Sequence, residues 1–185
     1  MLSLHANDND MTAIVTIHKS TVFEEVNKQT SYTGAKAGAT LYDKVRLKTD
    51  DETMLERWWC DACGLVTTLS VPFVSGITSL TPSTTSDFTL TLLVPSNWNT
   101  AQGVILTATA NEIVCDYLLQ QWFLLLGLDD KAKVAAEKQA SASSKYAVAL
   151  YDRMRPTRPS YTKLVPPIST TTEDEEDDTT VIEGE

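Results

Sequence analysis

Long apolar runs are missing from this sequence: nowhere does it reach the roughly 18 consecutive apolar residues that mark a membrane span. Its opening, MLSLHANDND, lacks the cationic start and apolar centre of a secretory signal. Cysteine is scarce and odd in number, three in 185 residues, and histidine is scarcer, with two. Free thiols in a reducing cytosol are the expectation that follows. Also missing are a glycine-rich phosphate loop, an H-E-x-x-H helix, an EF-hand loop and a G-x-S-x-G elbow. The sequence therefore assigns no catalytic residue, no metal ligand and no cofactor. With 42% hydrophobic residues, the chain can form one body of about 150 residues that buries roughly 70% of its unfolded surface. Such a body needs neither disulfides nor metal.

One charge sign is absent from the end of the chain. Residues 169–185 hold eight carboxylates and no base. Residues 131–163 invert this, with Lys131, Lys133, Lys138, Lys145, Arg153, Arg155, Arg158 and Lys163 against Glu137 and Asp152, a balance of +6. Residues 1–130 carry seven bases and fifteen acids, or −8, so the three parts give the net −10. An acidic, then basic, then acidic chain points to contact surfaces.

Hydrophobic spacing supplies the elements. AIVTIH at 13–18 is short and β-branched, which predicts a strand. Thr21 and Glu24 have the spacing of a capping box, which predicts a helix from Val22, ended by Gly34 and Gly38, with ATLYDKVRLK as a loop. Asp50, Asp51 and Glu52 suit the positive end of a second helix starting at Thr49 or Asp50. Leu55, Trp59, Ala62, Val66 and Leu69 form its buried stripe, and Pro72 should end it near Ser70. Phe88, Leu90, Leu92 and Val94 alternate as a strand, one half of a hairpin. Residues 104–126 form a central apolar helix stopped by Gly127, introduced by an asparagine or threonine cap in PSNWNTAQ. Asp129 and Asp130 cap a last, alanine-rich helix, which propensity more than packing should stabilise.

The stretch ETMLERWWCDACGLV sets two tryptophans before a Cys-x-x-C. A structural zinc needs four ligands, and Cys115, His5 and His18 offer no second pair. A redox pair sits at a helix N-terminus, whereas Cys60 falls about ten residues inside the predicted helix. Core packing is the expected role of Cys60 and Cys63. The basic stretch is the stronger candidate. Past the last helix, RPTRPSYTKLVPP is extended and punctuated by proline, and Tyr151, Arg153, Arg155, Arg158, Tyr161, Lys163 and Leu164 are the expected protein-binding residues. Arginine forks interleaved with aromatics suit an arm laid on another protein chain. Nucleic acid is the less favoured partner, since the adjoining acidic tail competes for the arm.

The expected fold is mainly α (α+β): a four-helix body with a short N-terminal strand and a protruding β segment near 75–95. Residues 1–12 form a flexible N-terminus, 13–154 the helical domain, 155–168 the extended arm and 169–185 a disordered acidic tail. In this order, HKSTVFEEVNKQTSYTGAK, ERWW, NWN leading into LLQQWF, and YDRMRPTRPSY resemble the neck or ring proteins of tailed bacteriophages, particularly crAss-like ones. The resemblance spans residues 14–161. It implies a virion structural protein, made in the host cytoplasm, that joins portal to tail as a ring of about twelve copies. Adjacent ring or tail proteins would be its other partners, no membrane would be involved, and DNA would pass through the channel without sequence-specific contact. A small Cys-x-x-C redox or zinc protein and a DNA-associated accessory factor are the alternatives. The role of the acidic tail stays open.

Overall fold

An antiparallel pair of strands, β1 (Asp10–Ile17) and β2 (Phe88–Pro95), joins segments about 70 residues apart in sequence. Their register sets Ala13 opposite Leu92, Val15 opposite Leu90 and Ile17 opposite Phe88. All six side chains are buried, so the alternation in each strand produces one shared apolar face. This computed structural model describes residues 10–74 and 86–155. The Thr and Ser-rich run from 75 to 85, most of the expected flexible N-terminus, and the arm and tail from 156 onward lie outside them. All described residues belong to one compact unit, Met1–Arg155.

The described residues form five α-helices, α1 (Lys19–Ala37), α2 (Ala39–Val45), α3 (Glu52–Ser70), α4 (Gln102–Leu125) and α5 (Asp129–Tyr151), of which α4 packs on β1 and α3 on β2. The mainly α (α+β) class is as the hydrophobic spacing predicts. Three details differ. First, the strand paired with β2 along its length is β1, Leu92 also forms an isolated antiparallel bridge with Val74, and Phe88, Leu90 and Leu92 are core residues, so β2 itself does not protrude. Second, ATLYDKV forms α2 instead of a loop, which makes five helices among the described residues where four were expected. Gly38 adopts φ +99 between α1 and α2, which lets the chain reverse at one residue and resume a helix. Gly34 stays inside α1, where an added Cβ would lie 3.1 Å from the Tyr42 carbonyl oxygen; its missing side chain is what allows α2 to pack against α1.

Third, α1 begins at Lys19, with no capping contribution from Thr21. Its first amides are satisfied from far away in sequence. The Lys19 amide donates to Asp87 Oδ1 (2.9 Å) and the His18 amide to Asn111 Oδ1 (3.2 Å), while His18 Nδ1 meets Asp87 Oδ2 at 2.8 Å. These groups do the work of an N-cap. A 3-10 turn over Thr49–Asp51 precedes α3, and the Asp51 carboxylate accepts from the Lys48 amide (2.9 Å). Lys19 ties α1 to α3 through Glu56 at 2.9 Å.

The central helix is α4, whose buried residues run from Leu106 to Phe123. Its most extensive neighbour is α5, and Ala132, Ala135 and Ala142 are buried on α5's inner face. The alanines thus contribute packing as well as propensity, because small side chains let two helix backbones approach closely. Gly127, at φ +67, closes the turn between them.

Candidate assembly surface

The Cys-x-x-C pair lies within α3, as its spacing implies, and Trp59 and Cys63 are fully buried. Burial pushes the Cys63 thiol up to about 12, with the neighbouring Cys60 adding to the effect. Cys115 on α4 is likewise pushed up to about 12, first by burial and then by Asp116. Burial also raises Cys60. Thiols that hold their protons at neutral pH are poor nucleophiles. Among the described residues, no group of three or more His, Cys, Asp and Glu side chains could hold a metal ion. None of their helices is long and apolar enough to cross a membrane.

Three of the expected protein-binding residues lie where α5 ends. The chain turns extended at Asp152, and the preceding NWN turn grips it. Trp98 is buried, and its indole N–H donates to the Ala149 carbonyl (3.0 Å). Asn99 Nδ2 and Gln102 Nε2 both donate to Asp152 Oδ2, at 2.9 and 2.7 Å. The Met154 amide donates to the Asn97 carbonyl (2.8 Å), and Trp98 and Arg153 form an isolated antiparallel bridge. Hydrogen bonds from Asn99, then Gln102, hold the Asp152 carboxyl below the usual carboxylate range.

Tyr151, Arg153 and Arg155 then divide by surroundings. The guanidinium of Arg153 turns back onto the helix, donating to the carbonyls of Leu150 (2.8 Å) and Asp152 (3.0 Å), and lies over the Phe73 ring at 5.8 Å. It is a helix C-terminal cap as much as a contact residue. Tyr151 meets Phe73 edge-on at 5.1 Å yet stays 60% exposed. Arg155 is exposed and is the last described residue. Arg158, Tyr161, Lys163 and Leu164 lie outside the described residues.

Large apolar side chains are exposed at both ends of the α4–α5 pair. Val104, Val148, Tyr151 and Met154 are exposed at the end where the chain leaves, and Leu124 and Leu125 at the end closed by Gly127. Sequence reasoning missed two recesses. One, of about 310 Å³ between α1 and α4, gathers Glu25, Glu112 and Asp116. Burial pushes the Asp116 carboxyl up to about 6, opposed by Lys138 and aided by Glu112. The other, of about 680 Å³, lies between α1, α2 and the start of α3; Phe23, Tyr42, Leu47 and Leu55 line it, with Glu24, Arg46, Lys48 and Glu52 also at its walls. It was hidden because 39–48 reads as a loop, although Leu41 and Val45 have the i, i+4 spacing of a helix.

Comparison of the chain with known protein families, curated proteins and solved structures finds no match in any of the three.

Proposed function

We propose that this protein is a virion structural protein of a tailed bacteriophage, a ring-forming head-to-tail connector that joins portal to tail around the DNA channel. The observation that carries the proposal is the fixed root of the basic arm. Hydrogen bonds from the NWN turn and Gln102 to residues 149–154 hold the place from which Arg155 leaves, so the arm starts from a defined position on each copy. Exposed Val104, Val148 and Tyr151 near that root, and Leu124 and Leu125 at the opposite end, supply apolar surface for neighbouring copies and for portal and tail partners.

Truncation tests the reading. Deleting 155–185 should leave a folded body that no longer assembles into rings, whereas deleting only 169–185 should spare assembly. Electron microscopy of both proteins, alone and with portal, reads the result. Normal rings from both truncations would remove the arm from the contact.

A further inference from the structure

The strand β1 lies at an edge. Among the described residues the sheet has two strands, so one side of β1 carries β2 and the other carries no strand. Hydrogen bonds just past its end show which groups line that open side. The Lys19 amide points toward β2, to Asp87, the residue before Phe88. The His18 amide points the other way, to Asn111 on α4. Alternation along a strand then directs the amides of Thr16, Ile14 and Thr12 away from β2 as well. Among the described residues, no backbone acceptor meets them on that side. Ile14, on the sheet's outer face, is 62% exposed, and Thr12 beside it is exposed too. Asn111 closes the edge at His18, which leaves Thr12 to Thr16 open.

Exposed edges are ordinarily blunted by a charge, a proline or a bulge. From Met11 to Ile17 there is no charge and no proline, and the register with β2 runs from Asp10 to Ile17 without a bulge. The far side of β2, by contrast, carries the Val74 bridge to Leu92, and β2 ends in Pro95.

The sequence of β1 fits its own copy. Laid antiparallel about a two-fold axis at Ile14, two such strands set Ile14 opposite Ile14 and Thr12 opposite Thr16. These are the residues whose amides point outward, so each facing pair exchanges hydrogen bonds across the join. Ala13 falls opposite Val15, and because both are buried on the inner face, the apolar face continues from one copy to the next. Beyond them Asp10 falls opposite His18, whose ring uses Nδ1 on Asp87 and keeps Nε2 for a second acceptor. Parallel pairing would instead set Asp10 against Asp10. We propose that β1 of one copy pairs antiparallel with β1 of a second about Ile14, making a four-stranded sheet across a two-fold interface. This contact joins like surfaces and is independent of the connector reading, whose ring contacts join unlike ones.

The test uses the full chain. Thr12→Cys and Thr16→Cys proteins are prepared separately, mixed and mildly oxidised, and the linked peptides are mapped by mass spectrometry. Facing positions in an antiparallel ladder have Cα atoms about 4.5–5.5 Å apart, within disulfide reach. The mixture should link position 12 of one copy to position 16 of the other, and Ile14→Cys should link to its own counterpart. Thr12→Cys alone, whose two thiols would stand about 13 Å apart along the strand, should link severalfold less. Ile14→Lys, added to both members of the mixture, sets like charges on the two-fold axis and should suppress the link while the far-UV circular dichroism stays as in the parent. No link in the mixture, equal linking by all the cysteine variants, or a link indifferent to Ile14→Lys would overturn the pairing. Rings without these links would overturn the pair and leave the connector reading standing; links without rings would do the reverse.

Discussion

The two ends of the α4–α5 pair are held in different ways. At the closed end, neighbours in sequence suffice: Gly127 takes a positive φ, the Leu128 amide donates to the Phe123 carbonyl (2.9 Å), and the Leu128 carbonyl accepts from the Lys131 and Ala132 amides, each at 3.0 Å. At the open end the local device is the Arg153 guanidinium on the Leu150 and Asp152 carbonyls, and residues about 50 positions earlier, in the NWN turn and the first turn of α4, add a remote hold on Ala149 and Asp152. A local device keeps a helix end in place whenever the helix forms. The remote one exists only when the whole body is folded, so the arm's root reports on global folding.

Removing the tryptophan at either end should have the largest effect. Trp122, in the last turn of α4, is buried and donates its indole N–H to the Val45 carbonyl (2.8 Å); Trp98 does the same for Ala149. Trp122→Ala and Trp98→Ala should each cost about 3–5 kcal/mol. Thermal unfolding measures the loss, and amide exchange separates the two: Trp98→Ala should release residues 149–154 selectively. Equal release by both variants would break the contrast between the ends.

A smaller effect comes from the pair that ties α3 to α5. Buried Ser70 donates to the Val66 carbonyl (2.9 Å), so Tyr146 is the donor in their 2.7 Å contact. Ser70→Ala strands a buried hydroxyl and should cost about 1–3 kcal/mol, whereas Tyr146→Phe leaves Ser70 its carbonyl partner and should cost about 1. Denaturant titration of both variants checks this order. Replacing Cys60 with Ala and Cys63 with Ser should cost a packing-sized amount, about 1–3 kcal/mol. Metal content should be near zero before and after; one tightly held zinc in the native protein would overturn the packing reading.

The gentlest perturbation is pH, and two carboxylates should respond oppositely. Asp152 has a lowered pKa in the folded state, so its contribution is present above the unfolded value and is lost as pH falls through the folded one. Protection at residues 152–154 should therefore fall on acidification below about pH 4, ahead of protection at the closed end. Asp116 has a folded pKa raised to about 6, so the fold binds its proton more tightly than the unfolded chain does. Stability should decline as pH rises from about 4 to 6, and Asp116→Asn should remove that decline. A melting curve with the same pH slope in both proteins would show that Asp116 is not responsible.

Legibility followed the same division between local and remote. The α3 stripe, the Gly127 stop and the alternation of Phe88, Leu90, Leu92 and Val94 depend on neighbours in sequence, and each is where its spacing puts it. The start of α1 was misplaced because Thr21 and Glu24 have capping-box spacing while the working acceptors are Asp87 and Asn111. The pairing of β2 with β1 carries no short-range signal, and α2 is a seven-residue helix whose register depends on the missing side chain of Gly34. Of the expected protein-binding residues, Tyr151 and Arg155 are exposed, while Arg153's turn back to Leu150 was not legible.

The pairing of β1 with β2 also sets a clock on synthesis. Ile17 has to wait for Phe88, its partner in the ladder, about 70 residues later. At roughly 5–20 residues per second, that is about 4–14 seconds in which Val15 and Ile17 have no sheet to join. The acceptor for the His18 amide, Asn111, emerges later still. The N-terminal strand is therefore made first and seated late, and for those seconds its edge is open to other nascent chains of the same protein.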